Sequence, residues 1–128
     1  MTNEVKNVFG KKLDICGCDP MTGWKRDGYC DTDLDDHGIH TVCCIVTDNF
    51  LRFSKLQGND LITPMPEYGF LGLKAGDHWC LCAGRWLDAY KDGHACPVNL
   101  EATHEETLVM IPIDVLKEFD YKMKKGLH

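Results

Sequence analysis

Cysteine and histidine carry the chemistry open to this chain, which has eight of the first and six of the second in 128 residues. The cysteines fall as Cys16-Gly-Cys18, Cys43-Cys44 and Cys80-Leu-Cys82, with Cys30 and Cys96 standing alone. In an oxidising compartment such a count reads as a disulfide framework. In a reducing one the thiols pack the core, ligate a metal or react. The first twelve residues hold no apolar stretch and no small-residue cleavage site, so they do not read as an export signal. No stretch reaches the roughly 18 apolar residues of a membrane span. The expectation is a cytoplasmic protein with reduced thiols, a disulfide-stapled secreted domain being the alternative.

Helix and strand geometry sorts the thiols. Asp77 reads as the N-cap of a helix ending at Gly93, with Trp79, Cys82, Ala83, Trp86, Leu87 and Tyr90 on one buried stripe. Cys82 is then a small core hydrophobe. Cys80 lies in the first turn, where unpaired amides and the macrodipole favour a thiolate, so it is the candidate nucleophile or metal ligand. Two residues apart on a helix are about 200° apart in azimuth, so Cys80 and Cys82 are not expected to share one ion. Cys43 and Cys44 point to opposite faces of a strand, and one site can use only one of them. Cys16 and Cys18 share a face if extended, while Cys96, before Pro97, looks incidental.

Two histidines are candidate bases for Cys80. His40 opens an apolar strand, and His104 ends one before Glu105 and Glu106. His37, His78, His94 and His128 sit among polar residues and read as surface. Arg26, Asp27 and Arg85 either pin charged segments to the core or hold an anionic group of a substrate. Cys30, Cys43, Cys80 and His104 come from four different elements, and their convergence would make a tetrahedral site for zinc, or for iron with an open position. No paired C-x₂-C knuckles support it.

The elements that must position these residues are less regular. Residues 1–38 carry successive turn formers, Asp19-Pro20, Thr22-Gly23 and Asp27-Gly28, after a short strand near Val8–Ile15. Thr41–Thr47 is apolar without alternation, as in a strand covered on both faces. Asp48 is expected to cap a helix over 49–57, and Gly58 stops it. Residues 58–76 read as a coil packed over the core, a mobile lid being the alternative. Strands are expected over 97–104 and 107–111. A last helix capped by Asp114 would bury Val115, Leu116, Phe119 and Met123. The order predicts a single α+β domain over 1–128, two-layered, with a mixed or antiparallel sheet and helices packed on one face. The 1–38 segment would be an irregular cysteine-bearing arm on that core.

Charge narrows the partners. Fourteen basic against twenty acidic side chains give a formal charge of −6, which disfavours nucleic acid, and no segment suits a membrane. The basic stretch Lys122–Lys125 complements a helix C-terminus. A small-molecule ligand remains open.

Arg26-Asp-Gly-x-Cys30, His40-Thr-Val-Cys43, Phe50-Leu-x-Phe-Ser54, Gly58-Asn-Asp-Leu61, Gly76-Asp-x-Trp-Cys-Leu-Cys-Ala83, Arg85-Trp86 and Leu100-Glu-Ala-Thr-His-Glu105 together resemble the bacterial domain of unknown function 2237 family. The resemblance spans nearly the whole chain and brings no activity with it. It implies that Cys16, Cys30, His40, Cys43, Cys80, Cys82 and His104 match family positions, and that Cys18, Cys44 and Cys96 depart from them. Three functions stay open. They are a non-catalytic domain whose thiols pack the core and which binds a small molecule or partner, a zinc or iron protein, and a thiol enzyme using Cys80 with His40 or His104.

Overall fold

The computed structural model describes residues 5–122. Its elements are β1 (Val42–Ile45), α1 (Asp48–Leu56), β2 (His78–Leu81), α2 (Ala83–Lys91) and α3 (Ile113–Lys117), with short 3₁₀ turns at Pro66–Tyr68, Leu100–Ala102 and Glu105–Val109. Three helices and one two-stranded antiparallel sheet among the described residues make a small α+β fold. Met123, most of the basic stretch 122–125 and His128 lie outside the described residues. No helix among the described residues is long and apolar enough to cross a membrane.

The sheet is buried on both faces, as the apolar run 41–47 predicts. β1 and β2 pair with Cys43 opposite Cys80 and Cys44 opposite Trp79. Alternation sends Val42, Cys44, Trp79 and Leu81 into the main core with Phe50, Trp86, Val98 and Leu116. It sends Cys43 and Cys80 to the other face, into a cluster with Cys16, Cys30 and Ala102. Two disulfides close that cluster, Cys16–Cys43 and Cys30–Cys80. Four of the eight cysteines are thus paired, against the expectation of reduced thiols.

The largest departure from the sequence reading lies at 77–82. The Asp77 carboxylate does not cap a helix; it accepts from Lys74 N–H at 3.0 Å. The Gly76 amide and the Asp77 carbonyl both bond to Val46, which draws His78–Leu81 alongside β1. The apparent helical stripe is therefore two elements. Trp79 reaches the core from a strand, and Trp86 and Ala89 reach it from α2. Cys80 becomes a strand residue, and Cys82 becomes the N-cap of α2.

Other boundaries shift less. Thr47 rather than Asp48 caps α1, its Oγ1 accepting from Phe50 N–H at 3.1 Å. Pro112 rather than Asp114 sits at the N-cap of α3. The expected strand 97–104 shrinks to isolated bridges, of Val98 with Cys44 and Asp120 and of His104 with Asn7, and 107–111 falls mostly in a 3₁₀ turn. His104 starts that turn, its Nδ1 accepting from Glu106 N–H at 3.0 Å. The expected strand near Val8–Ile15 is absent; the bridges there join Lys6 to Lys12 and Asn7 to His104. Residues 58–76 pack as a coil anchored by buried Leu61 and Leu73, whose backbones bond at 2.8 Å.

Two threonines finish the cysteine face. Thr22 Oγ1 accepts from Cys80 N–H at 2.8 Å, and Thr103 Oγ1 accepts from Cys43 N–H at 3.1 Å. Thr103→Val keeps the shape and strands a buried amide, a loss of about 1–3 kcal/mol. Urea unfolding should show a lower midpoint at unchanged slope; a midpoint equal to that of the wild type would mean that the bond contributes nothing.

Candidate active site

Four cysteines remain free. Cys44 and Cys96 are buried in the main core. Cys44 Sγ donates to Trp79 O at 3.4 Å, and burial, then its hydrogen bond to Cys44, pushes the Cys96 thiol well up. Both pack. Cys18 is exposed. Cys82 is half-buried and is the free thiol with chemistry around it.

The loop before β1 brings a histidine to Cys82. Ile39 adopts a left-handed backbone (φ 52°), and its carbonyl accepts from Ala83 N–H at 3.0 Å, tying the loop to the first residue of α2. His40 follows, and its imidazole and the Cys82 sulfur both lie against Gly38. Its Nδ1 lies 2.6 Å from Asp36 Oδ1, which leaves Nε2 for the sulfur. The Asp36 side chain is fully buried, whereas that of His40 is 31% exposed. Asp36 Oδ2 accepts from His40 N–H at 2.9 Å and from the Thr32 hydroxyl at 3.0 Å. The carboxylate therefore fixes both the backbone and the ring of His40.

Charge follows geometry. Burial alone would raise the Asp36 carboxyl, but donation from the His40 backbone, the His40 ring and Thr32 more than reverses it, so Asp36 ionises below the usual range. His40 is pushed up to about 9, first by its hydrogen bond to Cys82, against burial, and then by Asp36.

The loop can lie this close because residue 38 is glycine. A Cβ at Gly38 would sit 2.8 Å from His40 Cε1 and 3.0 Å from Cys82 Sγ. Trp24 stacks on the imidazole, ring centres 5.7 Å apart and planes 14° apart. The Cys82 thiol opens on a cleft of about 330 Å³ walled by Trp24, Arg26, His40, Leu61 and Trp79. Arg26, itself left-handed (φ 56°), holds its guanidinium 5.2 Å above the Trp79 ring.

The residues singled out from sequence distribute as follows. Cys80 is bonded to Cys30 and nearly fully buried, so in this state it has no thiol to act as nucleophile or ligand. Cys43 is bonded to Cys16. His104 is buried, its Nε2 3.7 Å from Asp31 Oδ1, and it meets Glu106 rather than a free thiol. The set Cys30, Cys43, Cys80 and His104 is thus not brought together as four open ligands. Of the three charged residues only Arg26 lines the cleft. Asp27 accepts from Tyr29 N–H and lines a separate cavity of about 260 Å³, and Arg85 donates to Gln57 O at 3.2 Å. His78 is half-buried rather than a surface residue, its ring bonded to Cys16 O at 2.9 Å.

A Cys/His cluster with metal-binding potential does exist behind the sheet. The sulfurs of Cys16, Cys30 and Cys80 lie within 4.8 Å of one another, as do ligand atoms of Cys16, Cys43 and His78.

Sequence reasoning missed Cys82 and Asp36. The helix start, placed at Asp77 instead of Ala83, moved the capping position from Cys82 to a residue five earlier. Asp36 stood in a polar loop, and its only signal was the four-residue spacing to His40.

The chain belongs to the bacterial family described as "Uncharacterized protein conserved in bacteria (DUF2237)", whose model matches residues 6–120. No curated protein matches it.

The site predicts an ordered response of the His40 titration, followed by NMR of the imidazole carbons. The wild-type midpoint should lie near 9. Cys82→Ser should bring it down toward the ordinary value, and Asp36→Asn should lower it by less. An unmoved midpoint in Cys82→Ser would break the proposed contact.

Proposed function

We propose that this protein is a thiol enzyme acting by nucleophilic catalysis, with Cys82 as nucleophile, His40 as its acid and base, and Asp36 as the group that orients His40. One observation carries the reading. A free cysteine at a helix N-terminus stands beside a histidine, both against Gly38 and both lining one cleft, and the Nδ1 of that histidine is held at 2.6 Å by a fully buried carboxylate. A nucleophile, a base and an orienting acid in that order are what an activated thiol requires. The thiol-enzyme reading made from sequence is kept, with Cys82 in the place of Cys80.

The chemistry that fits is acyl transfer to water. Cys82 Sγ attacks the carbonyl carbon of a small ester or thioester. The tetrahedral adduct collapses as the leaving group takes a proton from the His40 imidazolium. His40, now neutral, takes a proton from water. The resulting hydroxide equivalent attacks the thioester carbon, and Cys82 leaves as thiolate, so one water is consumed and one acid and one alcohol or thiol are released. Asp36 keeps the ring in place through both steps and stabilises its charged form.

The cleft supports a small substrate. Its volume of about 330 Å³ suits a compact molecule rather than a folded chain. Trp24, Leu61 and Trp79 offer apolar contact, and Arg26 offers a fixed positive charge for a carboxylate or phosphate on the substrate. A formal charge of −6 disfavours nucleic acid as the partner.

Alkylation by iodoacetamide, mapped by mass spectrometry on the oxidised native protein, tests the activated thiol. At pH 7 Cys82 should react at least about tenfold faster than exposed Cys18, an ordinary thiol being only a few per cent thiolate there. His40→Ala should remove that advantage near neutrality. The difference should fade above about pH 9, where His40 loses its proton in the wild type. Gly38→Ala, by crowding the pair, should slow the reaction too. A panel of activated esters and acyl thioesters should then leave an acyl group on Cys82. Cys82 alkylating no faster than Cys18, or hydrolysis surviving in Cys82→Ala, would defeat the proposal.

A further inference from the structure

The cysteine cluster behind the sheet plays no part in that reaction. Its sulfurs come from four separate stretches, Cys16 and Cys30 from the N-terminal arm, Cys43 from β1 and Cys80 from β2. Each is at most 5% exposed. Pairing alone would require only that Cys16 meet Cys43 and that Cys30 meet Cys80. The two bridges instead lie against each other, with the Cys16, Cys30 and Cys80 sulfurs within 4.8 Å and Cys43 bonded to Cys16. In a tetrahedral zinc tetrathiolate the Zn–S bonds of about 2.3 Å set neighbouring sulfurs about 3.8 Å apart. Opening both bridges lets the bonded sulfurs part to that spacing, while the Cys16, Cys30 and Cys80 sulfurs already stand within 4.8 Å of one another and Cys43 follows Cys16 toward them.

We propose that Cys16, Cys30, Cys43 and Cys80 form a redox-governed zinc site, disulfide-bonded under oxidising conditions and closed around one Zn²⁺ when reduced. Reduction delivers four electrons and four protons from two equivalents of a dithiol, each leaving as a cyclic disulfide. Zn²⁺ then displaces the four thiol protons and binds four thiolates. The position of the ligands favours this outcome. Cys43 and Cys80 are cross-strand partners on one sheet face, so half the site is preset by β pairing. Thr22 and Thr103 hold the amides of those same two residues. His78 stands beside Cys16 and Cys43, but its Nδ1 is engaged by the Cys16 carbonyl, so it steadies a ligand segment while the fourth thiolate completes the set. The site differs from the one anticipated from sequence in taking Cys16 where His104 was expected.

The test uses the full chain, reduced anaerobically with excess dithiol, given zinc chloride, desalted and analysed for metal. About one zinc per chain after reduction and less than about a tenth before it are expected. Cobalt in place of zinc should give the visible bands of a tetrahedral tetrathiolate. Cys16→Ser and Cys30→Ser should each weaken zinc binding more than tenfold, while Cys18→Ser leaves it unchanged. If the serine variants do not fold, the wild type decides alone. Reduced wild-type protein that holds less than about a tenth of an equivalent, or whose cobalt form lacks thiolate charge transfer, overturns the proposal.

Discussion

Four residues of β1 hydrogen-bonded to four of β2 make a sheet that could not stand alone in water, since two short strands are marginal without cover. Both faces are covered, by different means. On one side Val42, Cys44, Trp79 and Leu81 meet the helices, and Trp86 and Phe119 pack edge to face at 5.4 Å. On the other side few large apolar side chains are available, and covalent bonds hold the N-terminal arm in place. In the chain-entropy picture, loops of 27 and 50 residues closed by such bonds contribute about 3.5 and about 4 kcal/mol. That is a large share of the stability of a small domain, roughly 5–15 kcal/mol. The register Cys43 opposite Cys80 therefore decides what can cover the second face.

The same strand leads to the half-buried Cys82 thiol. β2 carries the disulfide at Cys80 and ends at buried Leu81, and Cys82 follows where the chain turns into α2. A residue at that point is fixed by sheet and helix together, yet faces the cleft rather than the core. Ordinary packing would make no use of a buried aspartate four residues before a histidine. Asp36 remains ionised inside the protein because three donors surround it, two of them from His40. The loop thus spends its polar groups on holding one imidazole, as a positioned base would require.

Much of the fold could be read in the residues, and the failures have identifiable causes. The β1–α1 unit was legible because an unbroken apolar run and Gly58 bounded it, although the cap lies one residue earlier, at Thr47, than expected. The α+β class followed from that mixture. The 77–82 stretch misled because Trp79, Ala83 and Trp86 obey helical spacing while Trp79 and Leu81 obey strand alternation, and only pairing with Val46 resolves the conflict. That one misplaced boundary exchanged the roles of Cys80 and Cys82. His40 and Arg26 were recognisable as chemical residues; the identity of their partner was not, because it depends on a loop with no periodicity. Disulfide pairing was illegible for another reason, since it depends on which sheet face each thiol occupies and on what the N-terminal arm does across it.

The two sulfur sites are joined by the chain between Cys16 and Cys30. That arm is fastened at both ends to the sheet, and it carries Trp24, which stacks on His40, and Arg26, which lies over Trp79. Two residues beyond Cys30, Thr32 donates to the Asp36 carboxylate. One wall of the cleft and one support of the base are therefore held by cross-links on the far side of the sheet. With both bridges open and nothing in their place, Trp24, Arg26 and Thr32 would be attached through a turn-rich segment poor in apolar contacts, and the entropy of that segment would compete directly with the site. A zinc ion bound by the same four sulfurs would restore the constraint without an oxidant. The cysteine cluster and the Cys82 centre are then two parts of one design, in which the first fixes the arm and the second uses what the arm presents.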